Sequence, residues 1–329
     1  MVAQHTDPMP AKRPTMAVAP GNPERPLMIL AAVALVGLII APFVVYPVFL
    51  MKALCFALFA CAFNLLIGYV GLLSFGHAAF FGGAAYVTAH AAKVWGLTPE
   101  LAILLGGLSA GVIGAAIGAL AIRRQGIYFA MTTLALSQMV FFVCLQAPFT
   151  GGEDGIQGVP RGSLFGLIDL NNPYAMYFTV LAIFAGGVWF IYRIVHSPFG
   201  QVLKAIRENE ARATSLGYDT AKYKLMAFVL SATLAGIAGG TKALVFQLAT
   251  LTDVQWQMSG EVVLMTLLGG IGTMVGPAVG GVIVVMLQNY LATTTLPATV
   301  VIGLVFVACV LLFRRGIVGE LAHRLKIRL

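Results

Sequence analysis

The feature that most constrains this chain is a series of long apolar segments, separated by short polar ones, that runs through almost its whole length. Of its 329 residues, 60% are apolar and only 10% are charged. A soluble protein carries about a quarter charged residues, so this chain lacks the polar side chains needed to cover its surface in water. Lipid tails solvate apolar side chains and disfavour charged ones. The pattern therefore predicts a polytopic integral membrane protein.

The apolar segments can be divided into membrane spans by their length. A helix needs about 20 residues to cross the hydrocarbon core. The predicted fold class is therefore an all-α, polytopic transmembrane helical bundle of about ten spans. The eighth segment is shorter than a full crossing, so a re-entrant segment and nine spans form the alternative. The predicted spans are residues 27–50, 53–69, 75–92, 101–122, 127–147, 174–195, 225–249, 261–271, 275–291 and 298–313.

Both ends of the chain are polar and are predicted to lie outside the membrane. Residues 1–26 are rich in proline and lack helical periodicity, which is typical of a disordered tail. The apolar segment that follows is too long for a secretory signal and has no small-residue cleavage site, so we expect it to be retained. The predicted organisation is a tail at 1–26, a transmembrane domain at 27–313 and a basic tail at 314–329.

Lysine and arginine residues mark one side of the predicted membrane domain. If the amino terminus is cytoplasmic, the opposite side holds few basic residues near its loops, namely Lys52, Lys93 and Arg161. The positive-inside rule places basic clusters in the cytoplasm, so both termini are predicted to be cytoplasmic. The basic residues on that side are Lys12, Arg13, Arg25, Arg123, Arg124, Lys204, Arg207, Arg212, Lys222, Lys224, Arg314, Arg315, Arg324, Lys326 and Arg328.

Several classes of function are disfavoured. The formal net charge is +8, but the basic residues lie between apolar segments rather than in a stripe with interleaved aromatics, so nucleic-acid binding is not predicted. No nucleophile–base pair or metal cluster indicates an enzyme, and no cofactor or metal is predicted. The cysteines lie inside apolar segments with no His at ligand spacing, so no disulfide framework is expected. They are Cys55, Cys61, Cys144 and Cys309.

Glycine-rich motifs in the spans predict close packing of helices. Small residues one helical turn apart let two backbones approach where no hydrophobic effect drives helices together. Residues 268–277 superficially resemble a phosphate-binding loop, but no Gly-Lys-Ser/Thr ends the run, so ATP binding by this chain is not predicted. The small-residue pairs are Gly107/Gly111, Gly114/Gly118, Gly236/Gly240 and Gly276/Gly280.

A hydrophilic segment at residues 196–223 interrupts the second half of the chain. Val202, Leu203 and Ile206 fall on one side of a helix and polar residues on the other, so a short amphipathic helix is predicted. One interpretation is a solvated linker. The other is a coupling helix that docks on a soluble motor subunit and transmits its movement to the spans. The candidate coupling residues are Gly200, Leu203, Ile206, Arg207, Glu208, Glu210, Arg212 and Gly217.

Polar side chains inside the spans are candidates for a translocation route, because they are costly in lipid and usually face a partner or a cavity. The candidate pathway residues are Asn64, Ser74, His77, Thr133 and Ser137. The alternative is hydrogen bonding between helices that only holds the bundle together. Lys242 and Glu261 are the charged residues nearest to span interiors, and they could form the ends of the pathway. For Lys242 the preferred interpretation is that its side chain snorkels to the outer interface.

Four segments of the sequence carry a resemblance to one known family, at residues 64–86, 150–156, 197–218 and 269–277. Together they resemble the branched-chain amino-acid ABC importer permeases. The first is similar to the signature segment of that family, the second to its external loop and the third to its coupling loop, and the fourth also fits. The order of these blocks and the external loop favour the LivM-type subunit over its LivH-type partner.

The resemblance implies an importer in which this chain is one subunit. It implies the type II ABC importer fold, similar to that of the vitamin B12 importer, and a location in the bacterial inner membrane. The implied partners are a second, LivH-like permease, two ATP-binding-cassette ATPase subunits and a periplasmic substrate-binding protein, with membrane lipid around the spans. Glu210-Ala211-Arg212 stands seven residues before Gly217, one more than in the general importer motif, so loop roles are assigned from the local pattern alone.

The function expected from this resemblance is import of branched-chain amino acids (leucine, isoleucine and valine) by alternating access, with ATP hydrolysis in the partner subunits. A permease for urea or a short-chain amide is the alternative within the family. From another class, an ion-coupled secondary transporter would carry its own coupling charges within the spans, and the sequence has no convincing set of these.

Overall fold

Long helices account for most of the chain. The computed structural model describes residues 36–291, 300–301, 303–304, 307–308 and 316–324. The predicted tail at 1–26, the start of the first predicted span and most of the last one lie outside these residues. We number the helices α1 (Pro47–Tyr69), α2 (His77–Lys93), α3 (Pro99–Ala121), α4 (Ile127–Gln146), α5 (Pro173–Val195), α6 (Pro198–Glu208), α7 (Glu210–Ser215), α8 (Thr220–Phe246), α9 (Trp256–Gly269), α10 (Gly276–Leu291) and α11 (Gly316–Arg324).

Five of these helices, α1, α3, α4, α5 and α8, are long and apolar enough to cross a membrane. The prediction of a helical, multi-pass membrane protein is therefore confirmed, while the total of ten spans stays a prediction. The 14 residues of α9 rise only about 21 Å at 1.5 Å per residue, which is less than the hydrocarbon core of about 30 Å. The short eighth segment is thus a short helix, and it begins at Trp256 rather than at 261.

Two helices form the centre of the bundle. In the most apolar 18 residues of each helix, the buried share is 83% in α1 and 72% in α8, compared with 28% in α4 and 22% in α5. Helix α8 packs against α1, α2 and α3, whereas α5 and α10 lie on other sides of α1. Because a helix that is apolar all round belongs in an interior or in lipid, the exposed surfaces of α4 and α5 suit contact with lipid or with another subunit.

Small residues allow α8 to approach its neighbours closely, as the glycine motifs predicted. A Cβ atom on Gly236 of α8 would lie 2.3 Å from the Cβ of Ala110 in α3. A Cβ on Gly239 would lie 1.9 Å from the carbonyl oxygen of Phe81 in α2. A larger side chain at either position would therefore force the helices apart.

A compact loop follows α4 on one side of the bundle. Its strand β1 (Ile156–Gln157) pairs antiparallel with β4 (Leu248–Ala249), which follows α8, and β2 (Ser163–Leu164) pairs with β3 (Ile168–Asp169). These two short sheets add to the predicted all-α fold. Gly155 has a φ of +67°, and a Cβ there would lie 2.2 Å from the carbonyl oxygen of Ala249. The loop can therefore reach the end of α8 only with glycine at this position.

Candidate functional site

The candidate pathway residue Asn64 joins α1 to the glycine-rich loop between α9 and α10. Its Nδ2 donates to the carbonyl oxygen of Thr273 at 2.9 Å, and its Oδ1 accepts from the backbone N–H of Gly272 at 2.9 Å. The side chain is 3% exposed. A glycine-rich turn at membrane depth leaves backbone groups without helical partners, and Asn64 satisfies two of them.

His77 joins three helices at the start of α2. Its Nε2 lies 2.9 Å from Ser231 Oγ on α8, and that hydroxyl donates to the carbonyl oxygen of Ala62 on α1 at 2.5 Å. The edges and faces of Phe63, Phe80 and other aromatic rings surround the imidazole, which is fully buried. In this conformation His77 therefore holds α1, α2 and α8 together.

The break between α1 and α2 packs against α4 through hydroxyl groups. Thr133 Oγ1 on α4 accepts from the backbone N–H of Phe75 at 3.2 Å, while Ser74 Oγ accepts from Gly76 N–H at 3.2 Å. Ser137, one turn beyond Thr133, is also buried and donates to its own helix at 2.7 Å. The expected common face of Thr133 and Ser137 is present, and it is directed towards the interior of the bundle.

These five candidate pathway residues fall into an interhelical polar layer. Asn64 lies near the glycine-rich loop, whereas Ser74, His77 and Thr133 surround the α1–α2 break and Ser137 lies one turn further along α4. None of them lines either of the two cavities described below. In this conformation Asn64, His77 and Thr133 join different segments, whereas Ser74 and Ser137 make local hydrogen bonds.

The segment at 196–223 forms two short helices rather than the single amphipathic helix predicted. Helix α6 begins after Ser197, whose Oγ accepts from Gly200 N–H at 3.3 Å, and ends at Glu208. Asn209 is extended and caps α7, since its Oδ1 accepts from Arg212 N–H at 3.0 Å. Asp219 caps α8, and the hydrogen bond from Lys222 holds the pKa of the Asp219 carboxyl below its usual value.

Helix α6 lies with its apolar side against the bundle. Leu203 and Ile206 are buried, at 0% and 3% exposure. A Cβ on Gly200 would lie 2.4 Å from the carbonyl oxygen of Val195 at the end of α5, so only glycine allows α6 to turn back under that helix. The predicted apolar face of this segment is confirmed.

Two of the candidate coupling residues are fastened to the spans. Arg207 Nη1 donates to the carbonyl oxygen of Gly68 in α1. Glu210 Oε1 accepts from Lys224 Nζ at 2.5 Å and from Thr220 Oγ1 at 3.2 Å, both on α8. The sequence pattern alone did not predict these contacts, because both residues belong to the polar side of the segment.

Three of the other candidate coupling residues are exposed, and one of them, Glu208, also lines a cavity between α6 and the bundle. Glu208, Arg212 and Gly217 are exposed, as are Leu216 and Tyr218 nearby, at 70% and 40%. The segment therefore has one side anchored in the spans and another side open for contact.

Beside the packed face of α6, a cavity of about 570 Å³ is lined by residues of α6, of the ends of α1 and α5 and of the α9–α10 loop. Tyr69 at the end of α1 donates to Met274 Sδ at 3.0 Å across its wall. Arg207 bonds α6 to the end of α1, and Tyr69 and Asn64 bond α1 to the loop after α9. These contacts connect α6 through the end of α1 to that loop. A displacement of α6 would act directly on this connection.

A second polar region lies at the opposite end of the bundle, where Lys242 forms an ion pair with Asp253. Their side chains are 14% and 2% exposed, so the Lys242 ammonium group ends in an ion pair with a loop residue, and its snorkelling to the outer interface stays a prediction. Asp253 also accepts from Thr250 Oγ1 at 3.2 Å. The pairing was missed because Asp253 belongs to a turn after the span, and only the fold brings it back onto α8.

Close to this ion pair, Glu261 of α9 accepts from Gln288 Nε2 of α10 at 2.9 Å. An open cavity of about 370 Å³ lies between these groups and α1. Among the described residues, no group of three or more His, Cys, Asp or Glu side chains is placed to hold a metal ion.

Comparison with known proteins gives a consistent result. Residues 45–312 match the model of the family described as "Branched-chain amino acid transport system / permease component". The chain is 25% identical over 288 residues to the Escherichia coli high-affinity branched-chain amino acid transport system permease protein LivM, covering 80% of this chain and 68% of that protein.

Two archaeal relatives match shorter parts. A probable branched-chain amino acid transport permease protein LivM of Methanocaldococcus jannaschii is 29% identical over 197 residues, covering 55% of this chain and 52% of the relative. A probable LivH of the same organism is 26% identical over 178 residues, covering 50% and 53%. No solved structure matches the chain.

Proposed function

This chain belongs to the family of branched-chain amino acid transport system permease components, and from that premise we propose that it is the membrane-spanning subunit of an ATP-driven importer. Its substrates are leucine, isoleucine and valine, which it moves by alternating access across the bacterial inner membrane. Hydrolysis of ATP takes place in partner subunits. The fold is the type II importer fold with about ten spans and both termini in the cytoplasm.

The observation that carries the proposal is the two-sided segment at 196–223. Its inner side is fixed by the buried Leu203 and Ile206 and by the bonds of Arg207 and Glu210 to α1 and α8. Its outer side is polar apart from a few exposed apolar residues such as Leu216. A segment of this kind can receive a rigid-body push from a soluble subunit and deliver it to the spans.

The proposed assembly contains this chain, a LivH-like permease, two ATP-binding-cassette subunits and a periplasmic binding protein. The amino acid passes from the docked binding protein into the interface between the two permeases. Movement of α6 acts through Arg207 on the end of α1 and through Asn64 on the loop after α9. The α1–α2 break then opens, and Ser74, His77, Thr133 and Ser137 join Asn64 along the route.

Uptake by a strain that lacks the chromosomal gene tests the substrate. With the chain and its partners restored, labelled leucine should enter, and the uptake should stop when ATP is depleted but not when the membrane potential alone is collapsed. Entry of urea in place of leucine would favour the urea or amide alternative. Loss of uptake when only the ion gradient is collapsed would favour a secondary transporter. The chain purified without its partners should have no ATPase activity.

Substituted cysteines test the route. Asn64→Cys, Ser74→Cys, Thr133→Cys and Ser137→Cys should react with a water-soluble thiol reagent in at least one state of the transport cycle. The reaction with the thiol reagent is measured without ATP, in the presence of ATP and in a trapped transition state. If none of the four positions reacts under any of these conditions, the polar layer is a structural contact only.

A further inference from the structure

The cavity of about 370 Å³ beside the Lys242–Asp253 pair contains charges of both signs. It is lined by Lys52 of α1, Lys242 of α8, Glu261 of α9 and Asp253 of the loop after α8. Two cations and two carboxylates leave the cavity without net charge. A neutral site with separated charges suits a ligand that itself carries both a cation and an anion.

The groups are not equally committed to partners inside the protein. Lys242 is held by Asp253 and lies about 6 Å from the ring centres of Phe81 and Phe246. Among the described residues Lys52 forms no ion pair within contact distance, although it lies in the field of Glu261 and Asp253. Glu261 receives one hydrogen bond, from Gln288, on one of its two oxygens. One ammonium and one carboxylate oxygen thus remain to bind a ligand.

Apolar side chains complete the wall between the charged groups. The cavity is lined on its apolar sides by Phe56, Phe246, Leu248 and Met258. Its volume is within the range of about 300–1,000 Å³ that is usual for small-molecule sites. An aliphatic side chain can be placed against this wall while the charged end of the same molecule faces Lys52 and Glu261.

We propose that this cavity is a binding station for an aliphatic α-amino acid, in which Lys52 binds the carboxylate and Glu261 binds the ammonium group. The station rests on the proposed function, which it deepens by assigning the permease itself a preference for zwitterions. A neutral solute such as urea could form neither ion pair. The site would thus select the amino acid after release from the binding protein.

Protection of a thiol from labelling tests the station directly. Met258→Cys is made in a chain whose four native cysteines are replaced, and the assembled complex is purified in detergent and treated with a small maleimide. Leucine should slow the labelling of residue 258. Isopentylamine and 4-methylpentanoate, which each carry one of the two charges, and urea should give no comparable protection at the same concentration.

Charge variants assign the protection to the two residues. In Lys52→Met and Glu261→Gln the leucine concentration for half-protection should rise about tenfold or more, because a hydrogen-bonded charge contributes about 1.5–3 kcal/mol. Lys93→Met and Glu153→Gln, which change exposed residues outside the cavity, should leave it unchanged. Lys52→Arg should retain part of the protection.

The proposal is overturned if leucine does not slow the labelling, if urea or a singly charged analogue protects equally, or if both cavity variants behave as the controls do. Import of labelled leucine by the same complex in proteoliposomes is measured in parallel. Import without protection refutes the station and leaves the proposed function intact, whereas absence of import refutes the proposed function.

Discussion

The ion pair between Lys242 and Asp253 gives the sharpest test of the structure. Lys242→Met would leave the Asp253 carboxylate, 2% exposed, with the hydroxyl of Thr250 as its one remaining side-chain partner among the described residues. Removing one member of a buried ion pair destabilises a protein by about 3–5 kcal/mol, because the remaining charge stays buried without compensation. We expect a loss near this range for Lys242→Met.

Asp253→Asn should be less damaging. The ammonium group of Lys242 is more exposed than the carboxylate and keeps the two aromatic rings at 6.0 and 5.9 Å, which contribute about 0.5–2 kcal/mol. The expected loss is therefore about 2 kcal/mol. The double variant Lys242→Met/Asp253→Asn should lose less than the sum of the single variants by about 2 kcal/mol or more, since it leaves no unpaired charge.

Equilibrium unfolding of the purified protein in mixed detergent micelles measures these free energies. Lys93→Met is the control, because Lys93 is exposed and donates to the carbonyl oxygen of Gln157 rather than to a charged group, and it should change stability by no more than about 0.5 kcal/mol. If the single variants are as stable as the control, or if their effects are strictly additive, the two side chains do not form a buried pair.

Three further substitutions test the connection between the coupling segment and the spans. Gly200→Ala places a methyl group 2.4 Å from the carbonyl oxygen of Val195 and should reduce leucine uptake at least about tenfold through displacement of α6. The control Gly186→Ala, with no atom within 4 Å of its new Cβ, should leave leucine uptake unchanged. Equal uptake by the two variants would contradict this expectation. Asn64→Ala leaves two backbone groups without their partner and should lower the free energy of unfolding by about 2 kcal/mol or more, measured by unfolding in detergent. A loss below about 0.5 kcal/mol would show that Asn64 does not hold the loop after α9. Arg207→Met removes the bond to Gly68 and should lower leucine import per ATP hydrolysed about tenfold while ATP hydrolysis by the complex is retained. The exposed control Arg123→Met should keep the normal ratio of import to hydrolysis. The same normal ratio in Arg207→Met would refute the role of Arg207.

The spans were predictable because a membrane imposes length and apolar character on each helix. Their ends were less accessible. Helix α8 begins at Thr220 rather than at 225, since Asp219 caps it and its first polar turn extends beyond the apolar run. The division of the coupling segment at Asn209 was also missed, because the helical pattern of apolar residues continues across a residue that is extended in the structure.

The polar contacts depended on the fold more strongly. Arg207 and Glu210 belong to the hydrophilic side of their segment by pattern, and only the turn at Gly200 brings them under α1 and α8. Lys242 was assigned to the interface because its partner lies in a loop and returns to α8 by tertiary folding. Asn64 was identified as a polar residue in a span, but its bidentate contact with the loop after α9 required the packing of two distant segments.

The central claim is that a soluble ATPase subunit holds the outer side of the segment at 196–223. Leu216 is 70% exposed. Replacing it with the photoreactive residue benzoylphenylalanine in the assembled complex tests whether the ATPase subunit contacts this side. We predict a covalent adduct with an ATP-binding-cassette subunit, with a yield that changes when ATP is added. A complex that imports leucine but forms no such adduct at position 216, or at the exposed neighbouring positions 208, 212 and 218, would contradict the account.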